Sequence, residues 1–79
     1  MKPYKGFADM IRKQRKALDK TLGDVATATG WSIPYISELE RGVKQPPPTP
    51  NLRALAAALE LEFRFLAREA ERSRRSVEG

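Results

Sequence analysis

The chain has neither cysteine nor histidine among its 79 residues. Without thiols there is no disulfide, and without imidazole the usual zinc sites and histidine-based acid/base chemistry are excluded as well. It also lacks a secretory apolar core and any apolar run long enough to cross a membrane, so a cytoplasmic protein with no membrane partner is expected. There is no nucleophile paired with a base and no glycine-rich phosphate loop, which argues against an enzyme and against a cofactor, a metal or a small-molecule substrate. No internal repeat is visible.

What the chain does have is positive charge. Fifteen Lys and Arg face ten Asp and Glu, for a formal net charge of +5, and the pI is near 10.0; both suit a polyanionic partner. The excess is uneven. Residues 1–20 hold seven basic and two acidic side chains, hence +5, whereas residues 21–41 set Arg41 against Asp24, Glu38 and Glu40, hence −2. A chain of this length makes one domain with a modest core.

Hydrophobic spacing predicts five helices and no strand. The first runs from about Phe7 to Leu18, with Phe7, Met10, Ile11 and Leu18 on one face and Arg12, Lys13, Arg15 and Lys16 on the other. Thr21 followed by Asp24 has the spacing of a capping box, so the second helix starts at Leu22 and continues to about Thr29. Ser32 is the expected N-cap of the third helix, with Ile33 as the alternative cap if Pro34 is the first helical residue. Arg41 and Gly42 end that helix, with the glycine as C-cap. After the proline run Pro46 to Pro48, Thr49 and Pro50 read as the cap and first residue of the fourth helix, which carries Leu52, Leu55, Ala56 and Leu59 as one stripe. The fifth begins near Glu62, and its stripe is Phe63, Leu66, Ala67 and Ala70. From Arg72 onward the chain is charged and small, and fraying is expected. The organisation read from this is an arm over residues 1–6, a helical domain over 7–70 and a charged tail over 71–79.

The segment from Thr21 to Gly42, TLGDVATATGWSIPYISELERG, is the most informative part. Val25, Ala26, Ile36 and Leu39 are apolar at the offsets of two crossing helices, and Gly30 supplies the left-handed residue that a tight turn between them needs. The outward positions of the second of these helices, Ile33, Pro34, Ser37, Glu38 and Arg41, are left for a partner, as in a helix placed in the DNA major groove.

These residues resemble the Cro and phage-repressor type of helix-turn-helix protein, the xenobiotic-response-element family. The motifs that carry the resemblance are IRKQR in the first helix, TLGDVA, GWSIPYISELERG and NLRALAAALEL, and together they span about Phe7 to Leu66. The resemblance implies an all-α, five-helix lambda-repressor-like domain whose third helix enters the major groove. Arg15 and Glu40 match a structural pair in this family, while Ser32, Ile33 and Ser37 match positions facing base edges or flanking phosphates. Two positions depart from its pattern: Leu22 stands where a glutamine is usual, and Glu60 where a glycine is usual.

The chemistry of the side chains gives each candidate a role. Ile33 can pack on a thymine methyl, Ser37 can bond a base edge or a phosphate, and Glu38 can accept from a cytosine amino group, although a carboxylate near phosphates is repelled unless paired. Tyr35 and Trp31 each have an apolar body and one polar handle, which suits phosphate contact for Tyr35 and packing for Trp31. Thr21, Pro34, Arg41, Lys44 and Gln45 complete the expected DNA-contacting set, with Lys20, Arg12 and Lys13 as further phosphate candidates. Arg15 and Glu40 form the expected two-pronged tie between the first and third helices. Leu61 and Phe65 lie off the fifth helix's stripe and form an expected dimer edge.

The function expected from this is a sequence-specific regulator of transcription, a repressor acting as a homodimer on an inverted repeat of duplex DNA. No ligand-binding domain is seen, so control by the protein's own concentration is expected. The alternative is an antitoxin-type interaction module that binds a partner protein through its last helix.

Overall fold

The computed structural model describes residues 3–78. Met1 and Lys2 of the expected arm and Gly79 of the expected tail lie outside the described residues. The elements are α1 (Lys5–Ala17), α2 (Leu22–Thr29), α3 (Ile33–Glu40), α4 (Thr49–Leu59) and α5 (Phe63–Glu78), with no strand among the described residues. All five helices turn their apolar stripes to one core, in which Phe7, Ile11, Val25, Ile36, Leu39, Leu52, Leu55, Leu59 and Leu66 are fully buried.

Helix α1 starts earlier than its apolar spacing predicts. Tyr4 takes the cap position, its carbonyl accepting from the Ala8 N–H at 3.0 Å. The Phe7 N–H, a donor with no partner inside the helix, is met across the fold by the Ser73 hydroxyl at 2.9 Å. Ser73 is buried, and α5 runs on to Glu78. The stretch from Arg72, where fraying is expected, is thus helical as far as Glu78 and is tied to the rest of the fold by polar contacts of Ser73 and Arg74. The Arg74 guanidinium donates to the carbonyls of Pro46 at 3.2 Å and Pro47 at 2.7 Å, which ties the proline loop to α5.

The start of α4 is also shifted by one residue. Pro48 is the N-cap, and Thr49 and Pro50 are the first two helical residues, where the missing proline N–H costs no helical bond. At the other end Glu60 adopts the left-handed conformation (φ 54°) that favours glycine. All four terminal carbonyls of α4 are nevertheless satisfied: Ala56 by the Leu61 N–H, Ala57 by the Glu60 N–H, Ala58 by the Lys20 ammonium at 2.8 Å and Leu59 by the Gln14 amide at 2.9 Å. Two side chains from α1 and the turn after it thus complete the end of a helix far away in the sequence.

Candidate nucleic-acid interface

Helices α2 and α3 press Val25, Ala26, Ile36 and Leu39 into the core, which leaves the opposite side of α3 facing outward. Gly30 caps α2 in the left-handed conformation (φ 78°), and the Ala26 carbonyl accepts from both the Gly30 and Trp31 N–H groups. The Ser32 hydroxyl accepts from the Tyr35 N–H at 3.2 Å, so Ser32 is the N-cap of α3 and the alternative cap at Ile33 is set aside. Pro34 then sits at the second helical position. Gly42 (φ 75°) lies one residue beyond the C-cap, which is Arg41, and reverses the chain there.

Along the outward side, Ile33 is half exposed at 50%, Pro34 and Arg41 are exposed, and Ser37 and Glu38 are partly covered. Tyr35 stands edge-on to Trp31, with ring centroids 5.4 Å apart and planes at 74°. Burial raises the Tyr35 phenol above its ordinary range, so it remains a neutral O–H donor at physiological pH. The Lys44 ammonium lies 5.7 Å from the Tyr35 ring centroid and 3.5 Å from a Glu38 carboxylate oxygen. Gln45 follows it, exposed.

Thr21 sits at the entry to α2 in a complete capping box: its hydroxyl accepts from the Asp24 N–H at 3.0 Å, and the Asp24 carboxylate accepts from the Thr21 N–H at 2.8 Å. Those bonds from Thr21 hold the Asp24 carboxyl below its usual range. Leu22, the departure from the family's glutamine, is partly buried against the core.

The orientation of α3 is fixed from behind. Arg15 Nε donates to Glu40 Oε2 at 2.6 Å and Nη2 to Oε1 at 2.9 Å, while Nη1 bonds the Lys20 carbonyl at 2.8 Å. The pair is largely buried, with side-chain exposures of 13% and 8%. The bonds to Glu40 raise the Arg15 pKa still further above its ordinary value.

Two residues sit differently from what their sequence suggests. Lys20, expected as a phosphate contact, donates to the α4 carbonyl described above and lies 3.8 Å from the Glu60 carboxylate. Leu61, expected with Phe65 as an apolar edge, is partly buried and packs against the core while keeping part of its side chain at the surface. Phe65 is 48% exposed, with the Arg64 guanidinium 5.5 Å from its ring centroid. Arg12 and Lys13 remain exposed on the outer side of α1. The ion pair of Glu38 with Lys44 was not legible from spacing along one helix, since it spans the reversal at Gly42; the glycine was the available signal. Among the described residues no group of His, Cys, Asp or Glu could hold a metal ion, and no helix is long and apolar enough to cross a membrane.

The helix-turn-helix family model matches residues 11–66. No curated protein matches the chain. Two solved structures are similar over most of its length. The restriction-modification controller protein C.AhdI from Aeromonas hydrophila is 28% identical with a TM-score of 0.72, over 80% of this chain and 94% of that one. The clp gene regulator ClgR from C. glutamicum is 30% identical with a TM-score of 0.72, over 90% of this chain and 91% of that one.

Proposed function

The chain belongs to the helix-turn-helix family of the Cro and phage-repressor type, and on that footing we propose that it is a DNA-binding transcriptional regulator, working in the cytoplasm as a repressor and as a homodimer on an inverted repeat. Both solved relatives are named for regulation, of restriction-modification in one case and of the clp gene in the other. The observation that carries the reading is α3 itself. Its N-terminus is capped by Ser32, its C-terminal end is clamped by Arg15 through Glu40, and its outward side offers Ile33, Ser37 and Glu38. Such a helix can enter a major groove without losing its place on the domain.

In this reading Ile33, Ser37 and Glu38 meet base edges, while Thr21, Ser32, Pro34, Tyr35, Arg41, Lys44 and Gln45 meet the sugar-phosphate backbone or pack beside it. A two-fold dimer through Phe65 presents two such helices to successive major grooves about 34 Å apart. Selection from a pool of random duplexes tests this: the protein should enrich a palindrome with half-sites about one helical turn apart. A pool that stays random contradicts the reading. The exposed Phe65 also fits a partner protein, the antitoxin-type alternative, and that reading gains if the purified chain is monomeric and enriches no palindrome.

A further inference from the structure

Three carboxylates lie in the helix-turn-helix, and two have structural employment: Asp24 closes the capping box and Glu40 holds Arg15. Glu38 is the third, and it lies on α3 near the outward residues Ile33 and Ser37. Its partner Lys44 comes from beyond α3. Gly42 reverses the chain, its carbonyl accepting from the Tyr4 N–H at 3.1 Å, and Lys44 returns along α3 to within 3.5 Å of the Glu38 carboxylate. The ammonium also lies over the ring of Tyr35, and that ring is braced by Trp31. Both charged groups stay open to solvent, at 51% for Lys44 and 39% for Glu38. The carboxylate is therefore placed and partly neutralised without being buried.

Resting on the DNA-binding reading above, we infer that Glu38 and Lys44 act as one unit, in which Glu38 reads a cytosine amino group in the major groove and Lys44 is the positioning residue that lets it do so. A lone carboxylate brought to a duplex meets about one phosphate charge per 1.7 Å of axis and is repelled. A lysine at ion-pair distance offsets that repulsion, and its remaining N–H donors can turn to a phosphate. The choice of base follows from the acceptor-only chemistry of a carboxylate. Guanine and thymine present acceptors in the major groove. Adenine presents its amino donor beside the N7 acceptor, which opposes the second carboxylate oxygen, whereas cytosine presents the N4 amino donor alone.

The test is duplex selection with the full chain, with Glu38→Gln and Lys44→Met singly and with both together. The unmodified protein should require cytosine at one position per half-site, by about tenfold or more over other bases. Glu38→Gln should abolish that requirement and move the position towards adenine, whose amino group and N7 suit an amide, while every other position is unchanged. Lys44→Met should weaken binding to the cytosine site by about tenfold, and by much less when Glu38→Gln is also present. Both side chains are on the surface, so circular dichroism should show all variants folded. Base preferences untouched by Glu38→Gln in a protein that still selects a palindrome overturn the inference alone, as does a Lys44→Met loss of equal size on both backgrounds. A chain that selects no duplex overturns the inference and the reading beneath it together.

Discussion

Arg15 of α1 and Glu40 of α3 form a two-pronged, largely buried ion pair, at 2.6 and 2.9 Å, that joins the basic helix to the outward-facing one. Because the third Arg15 nitrogen bonds the Lys20 carbonyl, the same guanidinium also holds the turn between α1 and α2. Removing either partner strands a charge that folding has already taken from water, at a cost of about 3 kcal/mol. Arg15→Ala and Glu40→Ala should each lower the melting temperature by about 10 °C or more. The double variant should lose clearly less than the sum, and a thermal double-mutant cycle measures this. Simple additivity would mean the pair contributes nothing as a pair.

Lys20 separates a structural cation from a DNA-contacting one. Its ammonium completes the last turn of α4 while remaining partly solvated, so Lys20→Met should destabilise the fold by about 1 kcal/mol. The dependence of DNA affinity on salt should stay as it was. A salt dependence that falls by about one counterion per half-site would return Lys20 to the phosphates.

The capping box gives a pH dependence of known sign. The Asp24 carboxyl is held below its usual value in the folded chain, so its contribution to stability is complete above the unfolded pKa and is lost as pH falls through the lowered folded one. Asp24→Asn should therefore lower the melting temperature at neutral pH and flatten the acid limb below about pH 4, so that the two profiles converge in acid. Parallel profiles for the two proteins would contradict the box.

Phe65→Glu tests the proposed dimer edge without touching α3. Because the ring is 48% exposed, the variant should fold normally and melt within a few degrees of the parent. In solution it should have the mass of a monomer, and its affinity for a full palindrome should drop towards that for one half-site. A Phe65→Glu chain that remains dimeric places the interface elsewhere.

The parts legible in the sequence are those fixed by short-range chemistry. Thr21 and Asp24 cap within one turn, Ser32 precedes the helix it starts, and Gly30 and Gly42 mark reversals that other residues enter at a cost. The five apolar stripes follow from period alone. What was not legible depends on groups that meet only after the chain has folded. Gln14 and Lys20 reach α4 carbonyls 45 and 38 residues away, and nothing in their local sequence distinguishes them from solvated surface. The last turns of α5 look like a fraying tail because their charge hides the two contacts that hold them, the Ser73 hydroxyl on α1 and the Arg74 guanidinium on the proline loop. The partial packing of Leu61 against the core is likewise invisible in its position off the helical stripe, since it depends on where the chain runs after α4.

In the proposed function this basic, five-helix chain binds duplex DNA through phosphates and reads it through α3. The most direct test is its affinity for a selected palindromic duplex at 50 and 200 mM salt. With about six to ten phosphates contacted per dimer, binding should weaken about a thousandfold or more between the two. An affinity that is the same at both concentrations would contradict the account.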